Sequence, residues 1–310
     1  MVVTELLEKY NELNNSFENK LFFKFGTNQG SGFYSELNSL LLGVLFALQR
    51  QYKFVLYSRD ASFAFGNGWE EFFEPFCPTM KNRLLGYGMG RGMGNRKDIL
   101  TSFYTMFNPK NKFENNIFWY LHSNWFGESH FNIPSLGING NIRDALKVLI
   151  PMVYRFNGKY TKLIEDFIKK INLPQDYVSF HIRGGDKVTE KELYNPQDYF
   201  KMAEDNTDCR NAFVFTDDYR LFQQVRDNNP QWNVYTSAFE YEDGFVLKSF
   251  SKKDDETLRN ELVKIFSSVQ IILQSKLFYG TYSSNPGMFI GMQMDEDRMK
   301  GLDYKKWVLF

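Results

Sequence analysis

With 310 residues, 43% of them hydrophobic and 18% aromatic, the chain has apolar material for two cores and a length at which two domains are expected. Lys plus Arg and Asp plus Glu both total 37; the resulting net charge of zero excludes a broad basic surface for nucleic acid or anionic lipid, so any anion site is local. Cys77 and Cys209 stand far apart without a CxxC spacing, which excludes a disulfide framework and a cysteine zinc site and suits a reducing compartment.

The first residues, MVVTELLEKYNELNNS, are charged from Glu5 onward, and nothing in the chain approaches about 18 uninterrupted apolar residues. The expectation is a cytoplasmic or otherwise soluble protein with no signal peptide or membrane anchor. Leu21 to Phe25 reads as a short strand, Gly26 to Gly32 (GTNQGSG) as a Gly-rich loop, and Leu37, Leu40, Leu41, Val44, Leu45 and Leu48 as one helix. Lys53 to Tyr57 is a second strand. Strand, loop, helix, strand is a βαβ unit whose loop, with Gly30 and Gly32, lies at a helix N-terminus. That loop reads equally as a ligand cradle or as a tight turn, since Gly26, Gly30 and Gly32 do not fit GxGxxG. In NGWEEFFEPFCPT, Trp69 is expected in the core, and GYGMGRGMG (Gly86 to Gly94) is read as a loop. His122 and His130, with only Glu128 between them, lack a third ligand for a metal. Asn139 to Ile171 reads as helical, with one apolar stripe before Pro151 and another ending at Ile171, and a domain boundary is placed at about 171 to 177.

Tyr177 to Tyr199 (YVSFHIRGGDKVTEKELYNPQDY) is the stretch on which the rest turns. Its alternation directs Val178, Phe180 and Ile182 to a core and Ser179, His181 and Arg183 to the opposite face. Gly184 and Gly185 then form a tight turn that delivers Asp186 and Lys187 at the strand's C-terminal end. Ligands of open α/β sheets bind outside the carboxyl ends of the strands, and an arginine fork suits a diphosphate. At this point Arg183 is either a phosphate-binding residue or half of a structural Arg–Asp pair. Pro196 to Glu204 reads as helix, Ala212 to Phe215 as a strand ending in Thr216-Asp217-Asp218, and Trp232 to Tyr235 as a strand. A long helix runs from Leu258 to Leu273, and the strand Leu277 to Tyr282 leads into Ser283-Ser284-Asn285-Pro286-Gly287. Alternating strands and helices with polar ends at one edge describe a Rossmann-like domain. Asp295-Glu296-Asp297 spells DxD but is read as a solvated helix end past the last strand, and residues 295–310 as a tail packing back on the first domain.

Two Rossmann-like domains facing across a cleft make an α/β fold of GT-B type. The chain resembles the α1,6-fucosyltransferase family, which includes core N-glycan and nodulation-factor fucosyltransferases, over about residues 20 to 295. The likeness is carried by Gly30 to Leu56, by GWEEFFEPF (Gly68 to Phe76), by His181 to Lys187 against a family pattern H-[VI]-R-R-x-D-K, by Thr216 to Asp218, and by Thr281 to Ser284. It implies an acceptor-side domain over 1–172, a nucleotide-sugar domain over 173–294, and an inverting, metal-independent glycosyltransferase of glycan biosynthesis with no cofactor. Its partners are a nucleotide-sugar donor, GDP-fucose, and a glycan acceptor. By position, Arg183 would hold the β-phosphate and stabilise the leaving diphosphate, His181 would contact guanine, and Asp186 and Lys187 would order the site. Gly184, Gly185, Asp217, Asp218, Ser268, Ser283, Ser284, Asn285, Gly30 and Gly32 would complete donor binding.

Three positions depart from the family. Gly184 replaces its second arginine, Ser268 stands where a carboxylate reads guanine, and Lys191 occupies the place of the base glutamate, for which the neighbouring Glu190 is the candidate. These departures keep two alternatives open: another donor such as a UDP-sugar, and a non-catalytic glycan- or nucleotide-binding protein.

Overall fold

β1 (Lys20–Lys24) is buried from Leu21 onward because β2 (Lys53–Tyr57) and β3 (Lys112–Glu114) pair with it in parallel on either side, giving the order β2-β1-β3. This computed structural model describes residues 2–26, 32–61, 63–83, 85, 104–114, 129–184, 194–244, 253–307 and 309. They fall into two units, Met1–Asn157 and Gly158–Phe310.

In the first unit, α1 (Val3–Ser16) precedes β1, and Asn14 pairs through its amide with both the N–H and the C=O of Phe54, tying the helix to β2. The crossover from β1 to β2 runs through α2 (Phe33–Gln49), which is buried around its whole circumference, as its Leu-rich sequence requires. Gly43 lets it approach the sheet: an added Cβ would lie 2.7 Å from the Phe23 ring. Trp69 is core, edge-on to Phe25 and stacked on Phe73 at 4.3 Å, with its indole N–H donating to Glu74 O. Residues 139–140, expected as helix, instead belong to β5 (Ile138–Gly140), which pairs antiparallel with β4 (Phe131–Ile133). Helix starts only at α3 (Ile142–Val153), where the Asn141–Asp144 capping box satisfies its first N–H groups, and it runs two residues past Pro151.

The second unit opens with α4 (Gly158–Ile171), which packs on α7 (Asp255–Gln274) and buries Tyr160 and Ile164. The division of the chain therefore comes before this helix, and residues 171–177 lie inside the second unit. The sheet has five strands: β6 (Val178–His181), β7 (Asn211–Phe215), β8 (Asn233–Thr236), β9 (Phe278–Gly280) and β10 (Met299–Gly301). All pairs are parallel, in the order β10-β9-β6-β7-β8, with α5 (Pro196–Glu204), α6 (Tyr219–Asn228) and α8 (Asn285–Gly291) on the connections.

Two expectations are corrected here. β6 is buried on both faces, because a parallel sheet is covered by helices on both sides. Val178, Phe180 and Ile182 join Phe200, Val214 and Trp232 in one core, while Ser179 faces the other layer and hydrogen-bonds Ser275 at 2.7 Å. The face given to chemistry thus opens only where the strand ends. Residues 295–310, expected as a tail on the first domain, belong to the second unit: β10 completes its sheet, and the Trp307 indole donates to Met288 O at 3.0 Å. Asp295, Glu296 and Asp297 are exposed around a 3-10 turn, as expected of a solvated end.

Candidate functional site

Strand order reverses at β6, whose successors β7 and β8 lie on one side while β9 and β10 lie on the other. The gap between β6 and β9 is the switch point of the sheet, the place where an open α/β sheet leaves room for a ligand. His181 ends β6 and Ser284 follows β9; Ser284 Oγ and His181 Nδ1 are 3.4 Å apart across this gap. Ser284 donates to Thr281 O and, as N-cap of α8, accepts from Gly287 N–H, so its remaining partner is the imidazole.

The His181 ring stacks on Phe215 at 4.8 Å and is 5% exposed. Burial first, and the Arg183 charge second, push its pKa down to about 3. The folded protein keeps this imidazole neutral, whereas the unfolded chain protonates it near the ordinary value of 6.5. Unfolding therefore takes up a proton between these values, and stability falls as pH drops through that window. The expected result is a His181 resonance that does not titrate between about pH 8 and 5 by NMR, with a thermal midpoint that decreases below about pH 6.5.

Arg183 lies two residues past the strand and is half-buried rather than sealed. Among the described residues its guanidinium has no hydrogen-bond or ion-pair partner, and Asp186, the other half of the Arg–Asp pair considered above, lies outside them. Nearby, Tyr199 on the first turns of α5 is 3% exposed, and its hydroxyl also lacks a hydrogen-bond partner among the described residues. Its phenol is raised well above the ordinary value by burial foremost, then by the Asp303 charge, with Arg183 opposing. It is therefore a neutral hydroxyl beside the Arg183 charge.

Gly184 N–H donates to Asp217 Oδ1 at 2.9 Å, which removes it from the backbone donors expected for a diphosphate. The residue is small for a steric reason, since an added Cβ would lie 2.7 Å from Asp218 Cβ. The family's second arginine has no room in this arrangement. Asp218 is the N-cap of α6, accepting from Arg220 and Leu221 N–H, so its Oδ1 is committed to the helix. Ser268 is fully buried; it donates to Lys264 O and lies 2.7 Å from Ser237 Oγ, a position that reads no base. Ser283 offers its backbone N–H to Asp303 rather than to a ligand, and Asn285 opens α8. Gly32 caps α2 in the first unit with nothing within 4 Å of an added Cβ.

Gly30, Gly185, Asp186, Lys187 and Glu190 lie outside the described residues, as do the run 86–94, His122 and Glu128. The ring of His130 bonds Asn139 Oδ1. Among the described residues no three His, Cys, Asp or Glu side chains group as a metal site, and no helix is long and apolar enough to cross a membrane.

Sequence reasoning missed the segment Ser237–Gly244 after β8. Tyr219 N–H donates to Glu242 O, Gly244 N–H donates to Asp217 O, and Glu242 forms a buried ion pair with Lys264. It also gave no place near Arg183 to Tyr199, because nothing in NPQDY says which way that ring points.

The chain thus carries a parallel sheet in each of two units, and the switch point of the second lies at the C-terminal edge of its strands. No family model matches the sequence, and no curated protein matches it. Among solved structures the chain is similar to NodZ α1,6-fucosyltransferase in a crystal soaked with GDP-fucose, with TM-score 0.54 and 12% identity over 89% of this chain and 93% of that one. It is likewise similar to NodZ co-crystallised with GDP, with TM-score 0.53 and 10% identity over 88% and 92% of the two chains. For selenomethionine NodZ from Bradyrhizobium the TM-score is 0.54 at 10% identity, over 88% and 91%. The likeness is one of fold, and the α/β chain with a parallel sheet in each of two units that the residues led one to expect is observed.

Proposed function

We propose that the protein is an inverting glycosyltransferase that moves fucose from GDP-fucose to a glycan hydroxyl. The observation that carries this reading is Arg183: a partly exposed guanidinium without a partner among the described residues, at the switch point of a sheet, in a fold shared with structures that were soaked or co-crystallised with GDP-fucose or GDP. In this reading the acceptor oxygen bonds to the anomeric carbon from the face opposite the diphosphate. The bond from that carbon to the phosphate oxygen breaks as it does so, and its electron pair leaves with the diphosphate. Arg183, with Lys187, offsets the charge developing on the departing group, and no metal takes part. Tyr199 supplies a neutral hydroxyl donor beside Arg183, while the neutral His181 contacts the base and adds no second charge. Glu190 takes the acceptor proton. The donor domain of this reading is the second unit, and the first is the acceptor side.

A second donor class is favoured by one observation: Ser268 is sealed against Ser237, so no carboxylate reads guanine from that helix position. Calorimetric titration separates the two readings. GDP is expected to bind at micromolar concentration or tighter and UDP at least about tenfold more weakly, a difference of about 1.4 kcal/mol. UDP binding without GDP binding transfers the proposal to UDP-sugars. Binding of GDP with neither hydrolysis nor transfer of GDP-fucose would leave a binding protein.

A further inference from the structure

The turn that carries Ser284 is held by a residue from the far end of the chain. After β9 the backbone passes through Thr281, Tyr282 and Ser283 before α8 begins, and the N–H groups of Tyr282 and Ser283 lie outside any helix or sheet ladder. Groups of this kind at the mouth of a site would otherwise face water or a ligand. Instead Tyr282 N–H donates to Asp303 Oδ1 and Ser283 N–H to Asp303 Oδ2, each at 2.8 Å, and Tyr304 N–H reaches Oδ1 at 3.0 Å. Both carboxylate oxygens are thus used on backbone, in charge-assisted bonds that are stronger than neutral ones.

β10 explains how Asp303 arrives there. Met299, Lys300 and Gly301 pair in register with Phe278, Tyr279 and Gly280, and Leu302 N–H donates to Gly280 O at 2.9 Å, so the exits of β9 and β10 run side by side. Gly301 permits the approach: an added Cβ would lie 2.5 Å from the Tyr282 ring and 2.3 Å from Tyr304 O. Trp307 then closes the segment onto α8, where an added Cβ on Gly291 would lie 1.9 Å from the indole. Beyond its backbone bonds, the Asp303 charge also acts on the Tyr199 phenol, next to Arg183.

We propose that Asp303 is a positioning residue: it fixes the conformation of turn 281–284, and so the placement of Ser284 and Asn285 at the β6–β9 switch point, for binding of a nucleoside diphosphate. The inference rests on the donor-site reading above. Asp303 touches no substrate in this role; it acts through the turn.

The test is D303N, which keeps the size of the side chain but replaces one carboxylate oxygen with an NH₂ group facing a backbone N–H. Three quantities are measured: GDP affinity by calorimetry, kcat and KM with GDP-fucose, and amide hydrogen exchange at Tyr282 and Ser283. The expected result is GDP binding weaker by about tenfold, the equivalent of about 1.4 kcal/mol, with KM raised more than kcat is lowered. Faster exchange at those two amides, with the thermal midpoint near that of the parent, is expected alongside. Parent-like GDP affinity in D303N would overturn the positioning role while leaving the donor-site reading intact. If the parent protein itself binds neither GDP nor UDP, the donor-site reading fails and the role for Asp303 falls with it. Should D303N not fold, D303E, which keeps the charge but displaces it by one methylene, is measured in the same way and judged by the same outcomes.

Discussion

Arg183→Ala is expected to abolish transfer, lowering kcat/KM by about a thousandfold or more, the scale on which an arginine stabilises charge in phosphoryl-leaving reactions. The fold is expected to survive. Arg183 makes no hydrogen bond or ion pair with the described residues, so its removal leaves none of them unsatisfied, and the unfolding free energy should move by no more than about 0.5 kcal/mol. The change also removes a positive charge that holds the His181 imidazole neutral, so the pKa of His181 moves back toward its ordinary value, though burial, the larger cause, remains. Arg183→Lys keeps the charge without the planar fork and is expected to fall between parent and alanine variant. Steady-state turnover with GDP-fucose, read beside circular dichroism, decides the matter. Undiminished turnover in a folded alanine variant would remove the enzyme reading.

Lys264→Ala is expected to show the opposite pattern, a large loss of stability. Lys264 sits on α7, 3% exposed; its ammonium pairs with Glu242 and lies 5.5 Å from the Phe239 ring. Both ions are out of water, with side chains 4% and 11% exposed, so deleting one leaves the other buried and unpaired. Breaking such a pair costs about 3–5 kcal/mol, whereas a double change to apolar residues of similar size is close to neutral. Denaturant unfolding of Lys264→Ala and of the pair Lys264→Met/Glu242→Leu measures both values. A single variant within about 1 kcal/mol of the parent would show that the pair is solvated in solution. The effect should reach the site, because Ser237–Gly244 is anchored on α7 by this ion pair and by Ser237–Ser268, and is bonded in turn to Asp217 and Tyr219. GDP affinity is therefore expected to fall together with stability in the single variant.

Much of the fold was legible because local pattern and tertiary role agree. KFVLY, PQDYF and the Leu-rich run of α2 carry their periodicities in the sequence, and the polar residues after Phe215 mark where β7 gives out, whereas β9 stops at Gly280, two residues before the expected end. β10 was not legible. A three-residue strand, MKG, has no period to detect, and it exists only because β9 offers it a parallel edge. Residues 139–140 were lost to a helical reading for the same reason, since pairing with β4 and not propensity makes them part of a strand.

The site divides along the same line. The sequence placed His181, Arg183, Asp217 and Ser284 at one edge of the sheet, because strand ends in a βαβ alternation point that way whatever the strand order. What the sequence determined by itself was that a cation and several polar turns meet at that edge. Tertiary structure alone decided which of them are free. Gly184 N–H, Asp218 and Ser268 turned out to be occupied by Asp217, by the N-terminus of α6 and by Ser237, while Arg183 and the Tyr199 hydroxyl remained unpartnered among the described residues. The physical reason is that a hydrogen bond joins groups brought together by packing. Its two ends are separated by 33 residues at Gly184 and Asp217 and by 21 at Tyr282 and Asp303, distances over which local pattern carries no information.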